Sequence, residues 1–223
     1  MNRFSAVTFV LWMVAANALH AQALSGDDIK SLLGRIRERR GAAPHVQADF
    51  REDKSIHLMA RPIVSTGKVW FEPPDRFRRE VRGSSPSITV SDGQQLWIYY
   101  PNFKSAEHYQ LGKRSLLDAA LAAINTALNL DNVENTFTIS GSRAPGGGYQ
   151  LHLLPRTGSM KRVFQTFDLW LDQDLFVTKT EMVQANGDRI NTTYSNHSRA
   201  AIPASTFQFT PPAGTEISTP LGK

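Results

Sequence analysis

The six histidines are the first residues to test for chemistry: His20, His45, His57, His108, His152 and His197. None forms a metal-type pair such as H-x-x-x-H, and a chain with no cysteine cannot complete a thiolate zinc site. The missing cysteines also exclude disulfides and a cysteine nucleophile. His57 and His152 sit in strand-like alternations, where a surface or edge position accounts for them. There is no G-x-S-x-G elbow, no P-loop and no dinucleotide fingerprint, and Gly146-Gly147-Gly148 opens no helix. Local structure also absorbs the carboxylates. Asp27-Asp28 begins a helix, Asp92 precedes Gly93 in a turn, and Asp172 and Asp174 flank another. These residues predict a protein that is not an enzyme and holds no metal and no cofactor.

What remains is apolar surface. Phe71 and Phe77 share one strand parity, Ile88, Val90, Leu96, Ile98 and Tyr100 another, and Phe167, Leu169 and Met182 recur further on. Each set can line one face of a sheet, either as core under helices or as the wall of a cavity. An acyl chain is sequestered at roughly 0.8 kcal/mol per buried CH₂, so such a cargo needs an apolar lining and no catalyst.

The elements that position these residues follow from the pattern. Arg3 and the apolar run from Ala6 to Ala16, followed by Ala21-Gln22-Ala23, have the form of a secretory signal cut near Ala23. The expected division is a signal peptide over 1–23 and a single domain over 24–223, exported to a bacterial periplasm. Ser25 and Asp28 form a capping-box pattern, and Ile29, Leu32, Leu33 and Ile36 make an apolar stripe, so a helix runs toward Gly41. Period-two segments then predict strands at Val46 to Phe50, Ser55 to Met59, Gly67 to Phe71, Arg76 to Val81, Ser87 to Ser91 and Leu96 to Tyr100. A second helix, Lys113 to Leu130, is apolar nearly all round, with Leu117, Leu121 and Ile124 among its apolar positions. Strands resume at Thr136 to Ser140, Tyr149 to Leu154, Val163 to Asp172, Phe176 to Gln184 and Arg189 to Asn196.

Strands that follow one another without alternating helices give a large antiparallel sheet, and a sheet that long curls. The fold class expected is mainly β with α: a curved antiparallel sheet forming an unclosed β-barrel with a helical lid. The net charge of +5 fits a solvated surface, or a partner with anionic lipid or acidic protein groups, and in an exported protein it does not point to nucleic acid.

Three motifs carry a family resemblance. Gly67-Lys68-Val69-Trp70-Phe71-Glu72-Pro73-Pro74-Asp75-Arg76-Phe77-Arg78 resembles the G-x-(apolar)-W/F…R-P-x-x-F-R segment of the outer-membrane lipoprotein carriers, the LolA family. Val90-Ser91-Asp92-Gly93-Gln94-Gln95-Leu96-Trp97-Ile98-Tyr99-Tyr100-Pro101 is similar to their V-S-D-G-x-x-L-W-x-Y-x-P hairpin. Phe207-Gln208-Phe209-Thr210-Pro211-Pro212-Ala213-Gly214 matches their F-x-F-x-P-P-x-G tail. The resemblance spans residues 46 to 217. It implies a monomeric periplasmic carrier that takes acylated lipoprotein from an inner-membrane transporter and hands it to an outer-membrane receptor, the acyl chains travelling under a lid. The sequence departs from the family at Pro73, where an arginine that pairs with the lid is usual. Arg76, Arg78 and Arg79 stand close by as gate or partner-contact residues. A carrier of another lipid on the same fold, and a lipid-sensing module, stay open as alternatives.

Overall fold

A computed structural model describes residues 22–111, 130, 133–144 and 146–220. The capping box of Ser25 and Asp28 starts helix α1, Gly26–Ala42: the Ser25 hydroxyl accepts the Asp28 backbone N–H while Asp28 accepts that of Ser25. The helix passes Gly41 by one residue and stops ahead of Pro44, which cannot continue it.

Twelve strands follow: β1 Val46–Ser55, β2 Ile63–Glu72, β3 Arg76–Arg82, β4 Ser87–Asp92, β5 Gln95–Tyr100, β6 Ser105–Gln110, β7 Phe137–Arg143, β8 Tyr149–Pro155, β9 Phe164–Leu171, β10 Val177–Gln184, β11 Arg189–Ser198 and β12 Glu216–Ser218. One-turn helices α2 Val133–Thr136 and α3 Gly158–Lys161 precede β7 and β9. All twelve strands form one sheet in the order β12-β6-β5-β4-β3-β2-β1-β11-β10-β9-β8-β7, antiparallel throughout except for the β12–β6 pair. The terminal strands β12 and β7 do not pair with each other, so the sheet is mainly antiparallel and unclosed, as its sequence pattern predicts.

Three segments differ from expectation. Ser55 to Met59 is not a strand: β1 runs on to Ser55, and 56–62 is the loop between β1 and β2. Ser105–Gln110 and Glu216–Ser218 are strands that the pattern does not announce, the first because most of its residues are polar, the second because it is three residues long. The second helix expected over Lys113 to Leu130, with Leu117, Leu121 and Ile124, lies outside the described residues apart from Leu130, which is buried.

Helix α1 defines the inner face of the sheet. Ile29, Leu32, Leu33 and Ile36 pack on Leu151, Leu153, Phe167, Leu169 and Leu171, filling part of the inner face of β7 to β9. Burying four such side chains is worth about 1.5–3 kcal/mol each. Before α1, Gln22 to Leu24 run along the free edge of β7. Leu24 N–H donates to Gly141 O at 2.8 Å and Arg143 N–H to Gln22 O at 2.9 Å. A cut after Ala23 falls inside this paired segment and leaves Leu24 its bond to Gly141.

The outer face of β3 to β5 is covered by the tail. Phe207 is buried there, Arg78 donates to Thr206 O at 3.1 Å, and Phe209 packs on Trp97 and Tyr99 with ring centroids 5.9 and 5.6 Å apart. The tail motif is thus a clamp on the back of the sheet.

Candidate binding cavity

The half of the inner face not covered by α1 encloses a cavity of about 420 Å³, within the roughly 300–1,000 Å³ range of ligand pockets. Strand periodicity builds its wall. Phe50 and Glu52 point inward from β1, Val69 from β2, Phe77 and Arg79 from β3, Thr89 from β4, and Leu96 and Ile98 from β5. From the other side come Phe164 and Phe167 of β9, Thr180 and Met182 of β10, and Ile190, Thr192 and Tyr194 of β11. Strands β5 and β9 are seven steps apart in the sheet, roughly 34 Å if it were flat at about 4.8 Å per strand. That Ile98 and Phe167 line one cavity requires the sheet to fold over on itself. A smaller cavity of about 40 Å³ adjoins it, sharing Val69 and Tyr194 and bordered by Ala48, Phe71 and Arg199.

Two glycines make room for this wall. A side chain on Gly67 would collide with the Glu80 carbonyl oxygen and stand 2.7 Å from the Phe50 ring, so only glycine lets Phe50 lie across β2. Gly93, at φ +93°, turns the β4–β5 hairpin under Asp75, whose carboxylate occupies the space that a Cβ would need. Around it Asp92 accepts the backbone N–H of Gln94 and of Gln95, both at 2.8 Å, and the Ser91 hydroxyl donates to Asp75 O. The S-D-G run is therefore turn chemistry that fixes the β4–β5 register.

The register sorts the residues singled out from sequence. Phe77, Leu96, Ile98, Phe167 and Met182 come together around the larger cavity, and Phe71 borders the smaller one. Leu169 faces inward but is wholly buried under α1. Tyr100 pairs with Ser105 at the cavity's edge of the sheet, where Glu107 accepts a hydrogen bond from Tyr109. Burial, reinforced by Glu107, pushes both phenols above the ordinary tyrosine range. Ile88 and Val90 are on the outer face. They pair with Tyr99 and Trp97, because the hairpin register couples even-numbered residues of β4 to odd-numbered residues of β5, reversing the shared parity read from sequence. Of the three arginines, Arg79 alone lines the cavity. Arg78 is on the outer face with Glu80, and Arg76 pairs with Glu72 beside the β2–β3 turn that holds Pro73.

Polar groups inside the cavity are what the sequence reading missed. Arg79 donates to Glu52 at 2.8 Å and lies 4.4 Å above the Phe50 ring, and Thr192 donates to the same carboxylate oxygen at 3.5 Å. Burial raises the Tyr194 phenol, whose hydrogen bonds to Thr180 and Thr192 offset part of that rise. The signal available was the continued alternation Ala48, Phe50, Glu52 in one strand. Elsewhere, His152 meets Asp168 at 2.8 Å on the outer face, with Ser140 opposite His152 in register. Among the described residues no group of His, Cys, Asp or Glu could hold a metal ion, and no helix is long and apolar enough to cross a membrane.

Known proteins are similar to this chain in sequence and in fold. An outer-membrane lipoprotein carrier protein of Methylibium petroleiphilum is 28% identical over 205 residues, covering 92% of this chain and 93% of its own. One from Xanthomonas oryzae pv. oryzae is 29% identical over 155 residues, 69% of this chain and 71% of its own. In fold, an uncharacterized conserved protein from Thermus thermophilus matches with a TM-score of 0.53 at 13% identity, covering 86% of this chain and 98% of its own. The model of the family described as outer membrane lipoprotein carrier protein LolA matches residues 43–210, and the chain belongs to that family.

Proposed function

We propose that this protein is a periplasmic carrier that shields the acyl chains of lipoproteins in the cavity and moves them from the inner to the outer membrane. The observation that carries the reading is the cavity itself. Its wall is mostly apolar, from Phe50, Phe77, Leu96, Ile98, Phe167 and Met182, and it lies on the half of the inner face that α1 leaves uncovered. Relatives named as outer-membrane lipoprotein carriers support the cargo class, and the signal-like N-terminus supports the compartment. Carriage of this kind uses no covalent chemistry and no cofactor. A transporter in the inner membrane loads the monomeric carrier, and a receptor at the outer membrane unloads it.

A second reading has one observation in its favour. The ion pair of Arg79 with Glu52, and the hydroxyls of Thr180, Thr192 and Tyr194, give the cavity groups that can bond a polar head, as a carrier of another amphiphile requires. Mass spectrometry of what co-purifies with the protein from its native periplasm separates the two. Acylated lipoprotein is the expected finding. A free lipid in its place moves the cargo to the second reading, and an empty protein overturns both.

A further inference from the structure

Seven large apolar side chains are exposed among the described residues, and all lie at one end of the sheet. Leu58 and Met59, 91% and 51% exposed, form the tip of the β1–β2 loop, with Ile63 and Val64 at the start of β2 below them. Phe103, 78% exposed, stands in the β5–β6 connection. Antiparallel pairing sends both connections to the same end, with the β3–β4 turn between them, and Asn102 donates to Ser84 O to tie two of the three together. Leu154 and Ile217, the remaining two, are near the same end of β8 and β12. Isolated exposed apolar residues need no explanation, but a set confined to one end marks a contact surface.

Charge at this end identifies the contact. Arg61, Arg82 and Lys104 are exposed beside the apolar tips, and none makes an ion pair among the described residues. Lys161 and Arg162, in the connection from β8 to β9, repeat the pattern at the same end. The opposite end carries more acidic turns, with Asp75, Asp92, Asp172 and Asp174, and there Arg39 pairs with Asp174 and Arg76 with Glu72, whereas the acidic groups in the connections of the apolar end include Asp188, buried and bonded to the His57 N–H, and Glu216 beside Lys104. Apolar tips among unpaired cations fit the boundary of an anionic bilayer, where the tips enter the acyl region and the cations meet headgroups.

We infer that this end of the sheet docks directly on an anionic phospholipid membrane, with Leu58 and Met59 as the inserting residues. The cavity residues nearest these turns, Ile98, Gln184 and Ile190, then face the membrane side, which shortens the path of an acyl chain between bilayer and cavity. The inference goes beyond carriage and does not need the identity of the cargo.

Co-sedimentation with phosphatidylglycerol–phosphatidylethanolamine vesicles, and with phosphatidylcholine vesicles, tests it. The purified protein is expected to bind the anionic vesicles, less so as salt is raised. Leu58→Glu/Met59→Glu lowers that binding about tenfold or more, and Arg61→Glu lowers it on anionic vesicles alone. Lys30→Glu, an equal charge change on α1, leaves it unaltered. Leu58 is almost wholly exposed, so the variants keep their thermal unfolding midpoint. Absence of vesicle binding by the unaltered protein, or binding that survives the double substitution, overturns the inference. So does a loss of cargo delivery in the double variant without any vesicle binding, which assigns the surface to a protein partner. Co-purification of cargo by a protein that binds no vesicle leaves carriage standing and removes only the docking.

Discussion

Arg79 donates to Glu52 at 2.8 Å from β3 to β1, across β2, inside a cavity whose wall is otherwise mostly apolar. Both side chains are about a quarter exposed, so neither charge is fully hydrated. Removing one partner by Arg79→Ala or Glu52→Ala is expected to cost about 1–3 kcal/mol, because the other charge is left without its partner. The paired replacement Arg79→Met/Glu52→Leu is expected to recover most of that loss. Urea unfolding of the four proteins as a double-mutant cycle measures the coupling. Additive costs would show the two groups to act independently.

Ile98 and Leu169 both face inward, yet a charge does different things at the two sites. Ile98→Glu places the carboxylate at an open cavity wall and is expected to cost about 1 kcal/mol or less of stability while abolishing uptake of an acylated probe. Leu169→Glu buries it beneath α1 and is expected to unfold the protein. Thermal unfolding alongside probe binding distinguishes the two. Equal stability losses would make Ile98 ordinary core.

Gly67→Ala is expected to destabilise by roughly 1–3 kcal/mol, since the added carbon meets the Glu80 carbonyl and the Phe50 ring. The ring has only the cavity to move into, so probe uptake falls as well. Trimming Phe50 to leucine in the same chain should restore uptake before it restores stability, a difference that parallel binding and denaturation curves resolve.

Asp188 is held below its ordinary carboxylate value of 3.8, first by the backbone N–H of His57, which donates to it at 3.0 Å. A depressed carboxylate stabilises the fold above its unfolded value, and that contribution is lost as pH falls through the lower folded value. Unfolding midpoints measured from pH 6 to pH 2 should therefore fall less steeply below about pH 4 in Asp188→Asn than in the unaltered protein. Parallel curves would mean that the His57 bond contributes nothing.

The legible parts of the fold were those written in local chemistry. Ser25 with Asp28 gave α1 its start, and Asp92-Gly93 gave the β4–β5 hairpin, because caps and turns depend on neighbours in sequence. Facing was not legible, because it depends on register. Ile88 and Val90 share parity with Leu96 and Ile98, and only the pairing of Ser91 with Leu96 sends them to opposite faces. Strand β6 was hidden because its inward residues, Glu107 and Tyr109, satisfy each other and leave no apolar alternation. The alternation of Ile56 and Leu58 read as a strand for the opposite reason: Leu58 is apolar and yet faces solvent at a loop tip.

The position of β1 has a consequence for how the chain reaches this state. It lies in the middle of the sheet, joined on one side to β2, its near neighbour in sequence, and on the other to β11, as in the pairing of Arg51 with Thr193. Two meanders, β1 to β6 and β7 to β11, can each form from hairpins, but the seam between them closes only once almost the whole chain is in place. Loop closure over that separation is slow. Until it closes, both halves present an unpaired strand edge and an uncovered apolar face, so assembly of this sheet is the step most open to aggregation or to rescue by a folding helper.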